Sequence, residues 1–242
     1  MYLVIDIGNT NQKAALFDAS GQLLQITLKK QLEIEDLEPW LSAYDIRASI
    51  ISSVGNDNPK LSNRLSEQVP TKVFSSALRL PVGIQYATPE TLGTDRIANA
   101  VGANQLFPNE NVLSIQVGSC LVTDLVTADN QYIGGTIAPG LRMRFRALEH
   151  FTAKLPLINP KPVDFLAGNS TEQSILSGVV NGLACEIDGL ISLYTEQYSN
   201  LKVVMTGGDA QQLEGLLKNS IFAAPNLVLL GLYKILRFNA AE

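Results

Sequence analysis

The sequence contains little of what multi-histidine metal sites and disulfide-linked proteins require. It has one histidine, His150, and two cysteines, Cys120 and Cys185. A single histidine excludes a metal site with several histidine ligands and most histidine-based catalytic schemes. Both cysteines lie in apolar stretches that are typical of buried free thiols. We therefore expect no disulfide framework and a reducing, cytoplasmic location.

The chain also lacks a strong charge bias and a long apolar run. Its net charge is −5, from 18 basic and 23 acidic residues, and no segment is strongly basic. This composition argues against nucleic acid as a partner. No apolar run reaches the ~20 residues that a membrane span requires, and the N-terminus lacks a signal-peptide pattern, so we expect no membrane partner.

The 242 residues include enough apolar side chains for a hydrophobic core, since 46% are hydrophobic and 17% are charged. Such a composition argues against intrinsic disorder. The length fits one large domain or two domains of roughly 110–130 residues. The polar segment at residues 104–111 includes Pro108 and is the best boundary. It predicts an N-terminal domain at 1–108 and a C-terminal domain at 109–242.

The predicted elements follow a similar order in the two halves. Apolar runs predict strands at 2–7, 14–17 and 23–28, then alternating helices and strands at 34–44, 48–54, 59–68 and 72–75, and a helix at 94–106. The second half starts again with strands at 112–117, 123–127 and 131–137, followed by a helix from 141, a helix at 172–193, a strand at 203–206 and a helix at 210–217. The repetition is architectural, because no residue-level repeat is visible.

The first predicted hairpin carries a pattern suited to phosphate. Its hydrophobic run holds one acid, Asp6, breaks at Gly8, and continues with Asn9, Thr10 and Lys13. Backbone N–H groups at such a turn and a nearby lysine can cradle phosphate. Asp6 lies where a magnesium ion, or water bound to it, needs an oxygen ligand. An ordinary hairpin with one acid accounts for the same pattern, so both interpretations stay open.

A second pattern, Gly93-Thr94-Asp95-Arg96, stands at the head of the helix at 94–106. Thr94 suits an N-cap, and Asp95 complements the helix dipole. Alternatively, Asp95 acts as a base toward a hydroxyl group. In that case Arg96 and the exposed N–H groups hold an anionic or polar substrate.

The second half offers weaker patterns. Val117-Gly118-Ser119-Cys120 suits a second phosphate turn, and the strand ending at Gly207-Gly208 would let a flat ring approach the backbone. Arg142 and Arg146 share a helical face, where arginines are usually solvated or ion-paired and less often bind phosphate or lie at a subunit contact. Residues 168–171 suit an N-capping run or, alternatively, place Thr171 against a ligand. An ordinary hairpin is the favoured interpretation of residues 117–120 unless a partner motif is present, and a plain strand-to-helix turn fits Gly207-Gly208 equally well.

Taken together, the motifs resemble those of the type III pantothenate kinases, of the acetate-and-sugar-kinase/Hsp70/actin superfold. They cover the chain from residue 1 to about residue 209 in family order. The matching segments are Asp6-Ile-Gly-Asn-Thr10, Tyr86 and Pro89 with Gly93-Thr-Asp-Arg96, Gly134-Gly-Thr-Ile-Ala-Pro-Gly140, Ala147-Leu148 with Thr152-Ala-Lys-Leu-Pro156, Thr171 before Ser177-Gly178, and Thr206-Gly-Gly208. Residues 143–148 resemble the branch found in Bacteroidetes-type bacteria. The resemblance implies two similar α/β domains of the ribonuclease H-like (actin-like ATPase) type, each a mixed sheet flanked by helices.

The resemblance also implies an activity. It is ATP-dependent phosphorylation of the terminal hydroxyl of pantothenate to 4'-phosphopantothenate, the first step of coenzyme A biosynthesis, by a homodimer whose substrate site lies near the subunit contact. By position, Asp95 matches the general base and Asp6 helps to place magnesium. The nucleotide-binding positions are Asp6, Ile7, Gly8, Asn9, Thr10, Asn11, Gln12, Lys13, Ser119, Gly207 and Gly208. The pantothenate-contacting positions are Tyr86, Gly93, Thr94, Asp95, Arg96 and Thr171.

The second phosphate turn departs from the family pattern. Gln116 stands where the resemblance places a carboxylate for a monovalent cation, and an amide oxygen coordinates potassium or ammonium without supplying charge. Leu121 and Val122 replace residues with hydroxyl groups, while Ser119 keeps one. Two alternatives to an active pantothenate kinase follow. One is a catalytically weak or non-catalytic relative with a binding or regulatory role, and the other is a kinase of another small hydroxyl substrate.

Overall fold

The computed structural model describes residues 1–54, 58–75 and 77–240. Contacts between Cα atoms divide the chain into two compact units. The first unit comprises Met1–Pro108, Asn130–Tyr132 and Asn226–Glu242, and the second comprises Asn109–Asp129 and Ile133–Pro225. The chain leaves the first unit after Pro108, and its C-terminal segment belongs to the first unit. The domain limits 1–108 and 109–242 stay a prediction.

The elements alternate between strands and helices along the described residues. The strands are β1 (Tyr2–Ile7), β2 (Gln12–Phe17), β3 (Leu23–Lys29), β4 (Ala48–Ser53), β5 (Thr71–Val73), β6 (Gly83–Ile84), β7 (Val112–Val117), β8 (Cys120–Val126), β9 (Gln131–Pro139), β10 (Lys202–Thr206) and β11 (Phe222–Ala223). The α-helices are α1 (Glu38–Ala43), α2 (Pro59–Ser66), α3 (Thr94–Leu106), α4 (Leu141–His150), α5 (Thr171–Gln197), α6 (Gln211–Glu214) and α7 (Leu227–Ala240). Two short 3₁₀ turns occupy Ile34–Asp36 and Pro89–Thr91.

The first unit is built on a mixed sheet with strand order β3-β2-β1-β4-β5. Strand β1 pairs antiparallel with β2 and parallel with β4. Side chains alternate between the faces of a strand, so Leu3, Ile5 and Ile7 share one face. They pack in a core with residues of α1 and α2. The opposite face carries Tyr2, whose ring lies 5.9 Å from that of Tyr233 on α7. Asp6 shares this second face, on which α7 packs.

The second unit repeats this arrangement. Its strands follow the order β11-β10-β7-β8-β9, in which β7 pairs antiparallel with β8 and parallel with β10. Strands β9-β8-β7-β10-β11 therefore have the same order as β3-β2-β1-β4-β5. The apolar faces of α4 and α5 pack on this sheet, and the core includes Phe145, Leu183 and Ile187. The architectural repetition predicted from the sequence is present.

Several predicted elements differ in extent. The predicted helix at 34–44 is a 3₁₀ turn followed by the short α1, because Pro39 occupies the start of a new helix. The predicted helix at 210–217 shortens to the single turn of α6. Helix α7 lies outside all the predicted elements, although Leu227, Leu232 and Leu236 are buried on it.

Helix α5 bears on two expectations from the sequence. With 27 residues it is the one helix within the described ranges that is long and apolar enough to cross a membrane by length and composition, and half of that apolar window is buried inside the protein. Its buried positions, among them Leu183 and Ile187, belong to the core of the second unit. Both cysteines are free, but Cys185 is exposed on α5 and Cys120 is only half-buried. The expectation of two buried thiols was wrong, because Cys185 lies outside the apolar stripe of its helix.

Candidate functional site

The predicted first hairpin is formed by β1 and β2. Asp6 and Lys13 are Cα partners in the antiparallel register, which places an acid opposite a base one step before the turn. The turn closes with a hydrogen bond from Gly8 N to Asn11 O of 3.2 Å. Asn9 and Thr10 are exposed at its tip. A polar turn with exposed backbone and a lysine at its base is suited to phosphate oxygens.

Asp6 is held in an unusual electrostatic state. Burial raises the pKa of its carboxyl group to about 6, the negative charge of Asp95 adds to this effect, and the positive charge of Lys13 opposes it. Asp6 Oδ1 is buried and finds no hydrogen-bond partner among the described residues. A buried carboxylate oxygen without a donor and close to a second carboxylate is a fitting ligand for a divalent cation.

Asp95 stands in the first turn of α3, within the first unit and close enough for its charge to raise the pKa of Asp6. The Arg96 backbone N–H donates a hydrogen bond of 2.9 Å to Asp95 Oδ1. Burial raises the pKa of Asp95, and the hydrogen bond from Arg96 opposes that rise. A half-buried carboxylate with a raised pKa is a stronger base than a solvated one.

Thr94 is not the N-cap of α3, contrary to one interpretation of the sequence. Gly93 holds that position, and Thr94 is the first helical residue. The Thr94 hydroxyl instead accepts a hydrogen bond of 2.9 Å from Ser52 Oγ and donates a longer one, of 3.4 Å, to the carbonyl oxygen of Ser53. The end of β4 thus fixes the residue that precedes Asp95. Ser52 was not predicted as a site residue. The sequence shows it only as a hydroxyl residue at the end of a β-branched strand.

Arg96 and Tyr86 are also brought together. The Arg96 side chain is buried, and its Cζ lies 5.7 Å from the centroid of the Tyr86 ring. The Tyr86 ring in turn lies 6.0 Å from the Tyr132 ring. Stacking on an aromatic ring orients a guanidinium group at little entropic cost. The first unit therefore combines two carboxylates, a lysine and a ring-stacked arginine.

In the second unit, two other segments pack against the turn between β7 and β8. Gly140 N donates to Ser119 O over 3.2 Å, and Asp209 N donates to Val117 O over 3.1 Å. A Cβ atom on Gly140 would lie 2.1 Å from Gly118 O, so only glycine allows this approach. Gly207 has φ of +106°, and its Cβ would lie 2.2 Å from Val117 O. The structure thus packs the Gly207-Gly208 segment against Val117, next to the turn that holds Ser119. Their assignment to adenosine and to phosphate stays a prediction.

The charged groups at this turn differ from expectation. Gln116 is half-buried on β7 and has Thr206 of β10 as a Cα partner. Asp209 is buried and forms an ion pair with Arg142, with Nε and Oδ1 separated by 3.5 Å. Asp209 was not predicted as a site residue. The feature of the sequence that points to it is an acid directly after the Gly-Gly pair.

Thr171 lies apart from these groups, at the start of α5. Ser170 caps this helix by accepting a hydrogen bond from Gln173 N, so the capping interpretation of residues 168–171 is confirmed. Thr171 is exposed and lines an open groove of about 1210 Å³ in the second unit. Apolar and basic side chains share that groove, including Arg144, Leu148, Phe151, Leu155 and Ile175. Phe151 is 80% exposed, which is unusual for a side chain of its size.

Comparison with known proteins identifies a family that this chain matches. A family model described as type III pantothenate kinase matches residues 2–193. A type III pantothenate kinase from Christiangramia forsetii is 46% identical over 246 residues, covering 100% of both chains. A second, from Cytophaga hutchinsonii, is 42% identical over 239 residues, covering 99% of this chain and 100% of the relative.

A solved structure supports the fold. The ROK family glucokinase from Streptomyces griseus, in complex with glucose and AMPPNP, has a TM-score of 0.54 at 12% identity. The match covers 98% of this chain and 99% of that chain. This likeness, together with the repeated strand order, confirms the predicted α/β fold of the sugar kinase and actin-like ATPase type.

Proposed function

The chain belongs to the type III pantothenate kinase family, and we propose that it transfers the γ-phosphoryl group of ATP to the terminal hydroxyl of pantothenate. The product is 4'-phosphopantothenate, and the reaction is the first step of coenzyme A biosynthesis. Because ATP is the phosphoryl donor and both cysteines are free, we place the reaction in the cytoplasm.

One observation carries the proposal beyond family membership. Asp6 and Asp95 come from different elements of the first unit, and their charges interact closely enough for Asp95 to raise the pKa of Asp6. Burial raises the pKa of both carboxyl groups, and carboxylates in that state are costly for folding and typical of an active site. One fits a base and the other fits a metal ligand, which are the two acidic roles that a small-molecule kinase needs.

In the proposed mechanism, Asp95 accepts the proton of the pantothenate hydroxyl while that oxygen forms a bond to the γ-phosphorus. The bond between the γ-phosphorus and the bridging oxygen breaks, and ADP leaves with the electron pair. Phosphoryl transfer passes through a loose transition state, so orientation and charge neutralisation contribute more than the base. Arg96, stacked on Tyr86, holds the anionic end of pantothenate or a polar group near it.

We propose that the remaining site residues hold the nucleotide. Asp6 is the carboxylate that would bind magnesium, and its unpartnered Oδ1 supports that role. When bound, magnesium neutralises charge on the ATP phosphates. The Gly8–Lys13 turn holds phosphate oxygens through backbone N–H groups and the ammonium of Lys13. Ser119 also holds phosphate oxygens, while Gly207 and Gly208 take the adenosine side.

We further propose that the chain works as a homodimer. The groove beside Thr171 supports this proposal, because it leaves Phe151 and other apolar side chains open to solvent. Contiguous exposed apolar surface commonly marks an interface. Analytical ultracentrifugation of the wild type should give a dimer, and Phe151→Glu should shift it toward monomer. A monomeric wild type at micromolar concentration would contradict the dimer.

The decisive experiment for function couples ADP release to pantothenate addition at millimolar ATP. We expect ADP release that depends on pantothenate and on magnesium, and formation of 4'-phosphopantothenate detected by mass spectrometry. A chain that releases no ADP on addition of pantothenate would overturn the proposed function. A panel of other small hydroxyl compounds then tests whether a different substrate is used.

A further inference from the structure

Arg142 is attached to the second phosphate turn by two independent contacts. It follows Gly140, whose N–H is hydrogen-bonded to Ser119 O, by two residues. Its guanidinium group pairs with Asp209, whose own N–H is hydrogen-bonded to Val117 O. Both the backbone before Arg142 and the partner of its side chain are therefore fixed to the same turn. The position of Arg142 is a property of the turn and of the segments packed on it.

The geometry of the ion pair leaves Arg142 able to contact a ligand. The contact uses Nε, at 3.5 Å from Asp209 Oδ1. The Asp209 side chain is 9% exposed, whereas the Arg142 side chain is 62% exposed. A buried acid thus anchors a mostly solvated guanidinium group. A planar guanidinium donates in a fork that matches two phosphate oxygens.

Among the described residues, the side chains at this turn offer a monovalent cation no acid beyond Asp209, which is already ion-paired. The position at which the family resemblance places a carboxylate holds Gln116, which has no charge. Asp209, the buried acid joined to the turn, is already paired with Arg142. The turn therefore carries the Arg142–Asp209 ion pair and lacks the carboxylate that the family pattern places at Gln116.

We propose that Arg142 supplies the positive charge to the ATP phosphates at this turn, so that nucleotide binding does not need potassium or ammonium. The inference rests on the proposed function, because it assumes that the Ser119 turn binds ATP. Asp209 is a positioning residue that holds Arg142 through Nε. The charge is covalently part of the chain, so its effect does not depend on which monovalent salt is present.

The test measures binding of magnesium AMPPNP to the full chain by calorimetry in potassium chloride and in sodium chloride. For the wild type we expect dissociation constants within about twofold of each other in the two salts. Arg142→Gln should weaken binding about tenfold or more, since charged hydrogen bonds to phosphate are strong. Arg142→Lys keeps the charge but not the planar fork, so its affinity should lie between those of the wild type and Arg142→Gln. Arg146→Gln, one turn further along the same helix, is the matched control and should bind as the wild type does.

Further variants separate a ligand contact from a purely structural ion pair. Asp209→Asn keeps the positive charge, so it should bind nucleotide better than Arg142→Gln. The double variant Arg142→Gln/Asp209→Asn has no unpaired acid and should bind as weakly as Arg142→Gln. Equal losses in Arg142→Gln and Asp209→Asn would overturn the inference, as would wild-type affinity in Arg142→Gln.

The inference and the proposed function fail in different ways. A chain that phosphorylates pantothenate but binds AMPPNP several-fold more tightly in potassium than in sodium would overturn the inference alone. A chain that binds AMPPNP through Arg142 in either salt but releases no ADP with pantothenate would overturn the proposed function and leave the role of Arg142 in nucleotide binding supported.

Discussion

The β1–β2 and β7–β8 hairpins occupy the same place in their two sheets but carry different chemistry. Asp6 is the second-last residue of β1, and Gln116 is the second-last residue of β7. Opposite Asp6 stands Lys13, whereas opposite Gln116 stands Val122. One hairpin therefore ends in a charged pair and the other in a neutral pair, although the strands around them match.

The turns differ in how they are supported. The first turn spans Gly8 to Asn11, and its tip residues are exposed. The second turn is the short Gly118-Ser119 pair, and two other segments are packed against it through Gly140 and Gly207. The matching strand orders therefore end in unlike turns. The first hairpin presents side-chain charge, and the second presents a turn that backbone contacts hold in shape.

The strongest test of the first unit's proposed role removes the proposed base, which lies in that unit. Asp95→Asn should lower kcat by roughly 10²–10⁴-fold, which is the usual contribution of a general base, while the fold stays intact. The coupled ADP-release assay measures the loss, and circular dichroism checks the fold. Glu90→Gln, an exposed acid just before α3, is the matched control and should keep wild-type turnover. A variant Asp95→Asn with most of its activity would show that the first unit does not supply the base.

The second test concerns the cost of burying Asp6. Its carboxyl titrates near 3.8 in an unfolded chain and near 6 in the folded protein. Between these values the native state binds more protons than the unfolded state, so stability falls as pH rises through this window and stays lower above it. Asp6→Asn should abolish turnover and yet raise the free energy of unfolding at pH 8 by up to about 3 kcal/mol, the equivalent of the pKa difference.

Urea unfolding of the wild type and Asp6→Asn, in the presence of a chelator at pH 4, 6 and 8, measures this effect. The stability difference between them should grow from pH 4 to pH 6 and change little from pH 6 to pH 8. Asp45→Asn, at an exposed acid, controls for the change in net charge. If Asp6→Asn is less stable than the wild type at pH 8, burial of the ionised Asp6 carboxylate does not destabilise the folded protein.

Local sequence patterns were sufficient to predict the two hairpins, because each strand is an apolar run and each turn contains glycine. They were also sufficient for the position of Asp95 at the start of a helix. They did not reveal α7, whose place in the first unit depends on contacts of Tyr233 with Tyr2 and Phe17, far apart in the chain. Such contacts depend on how the sheet is assembled, which a local window does not contain.

The supporting residues of the site were missed for the same reason. Ser52 and Thr94 are 42 residues apart in sequence and meet only when α3 packs near the end of β4. Asp209 and Arg142 belong to segments that converge on the second turn. The sequence indicates which residues can do chemistry, whereas the residues that hold them are identified by tertiary contacts.

A smaller effect tests the shape of the second turn. Gly207→Ala introduces a side chain at φ of +106° and 2.2 Å from Val117 O, so it should destabilise the protein by about 1–3 kcal/mol. Gly208→Ala is a matched neighbour, because its Cβ would meet no atom within 4 Å. It should change stability by less than about 0.5 kcal/mol and should raise the KM for ATP. Equal urea stabilities of the two variants would contradict the role of Gly207, and an unchanged KM in Gly208→Ala would remove Gly208 from the nucleotide site.

The smallest expected effect comes from the hydroxyl groups at the end of β4, which sharpen the account of the first unit. Ser52→Ala removes the hydrogen bond to Thr94 and should lower kcat about fivefold, since one such bond contributes about 1 kcal/mol. Ser49 is the matched control, because it is equally buried on β4 but bonds to Thr71. Ser49→Ala should lose similar stability in urea and keep its kcat. A kcat that falls equally in both variants would mean that Ser52 acts on the fold in general and does not position Asp95.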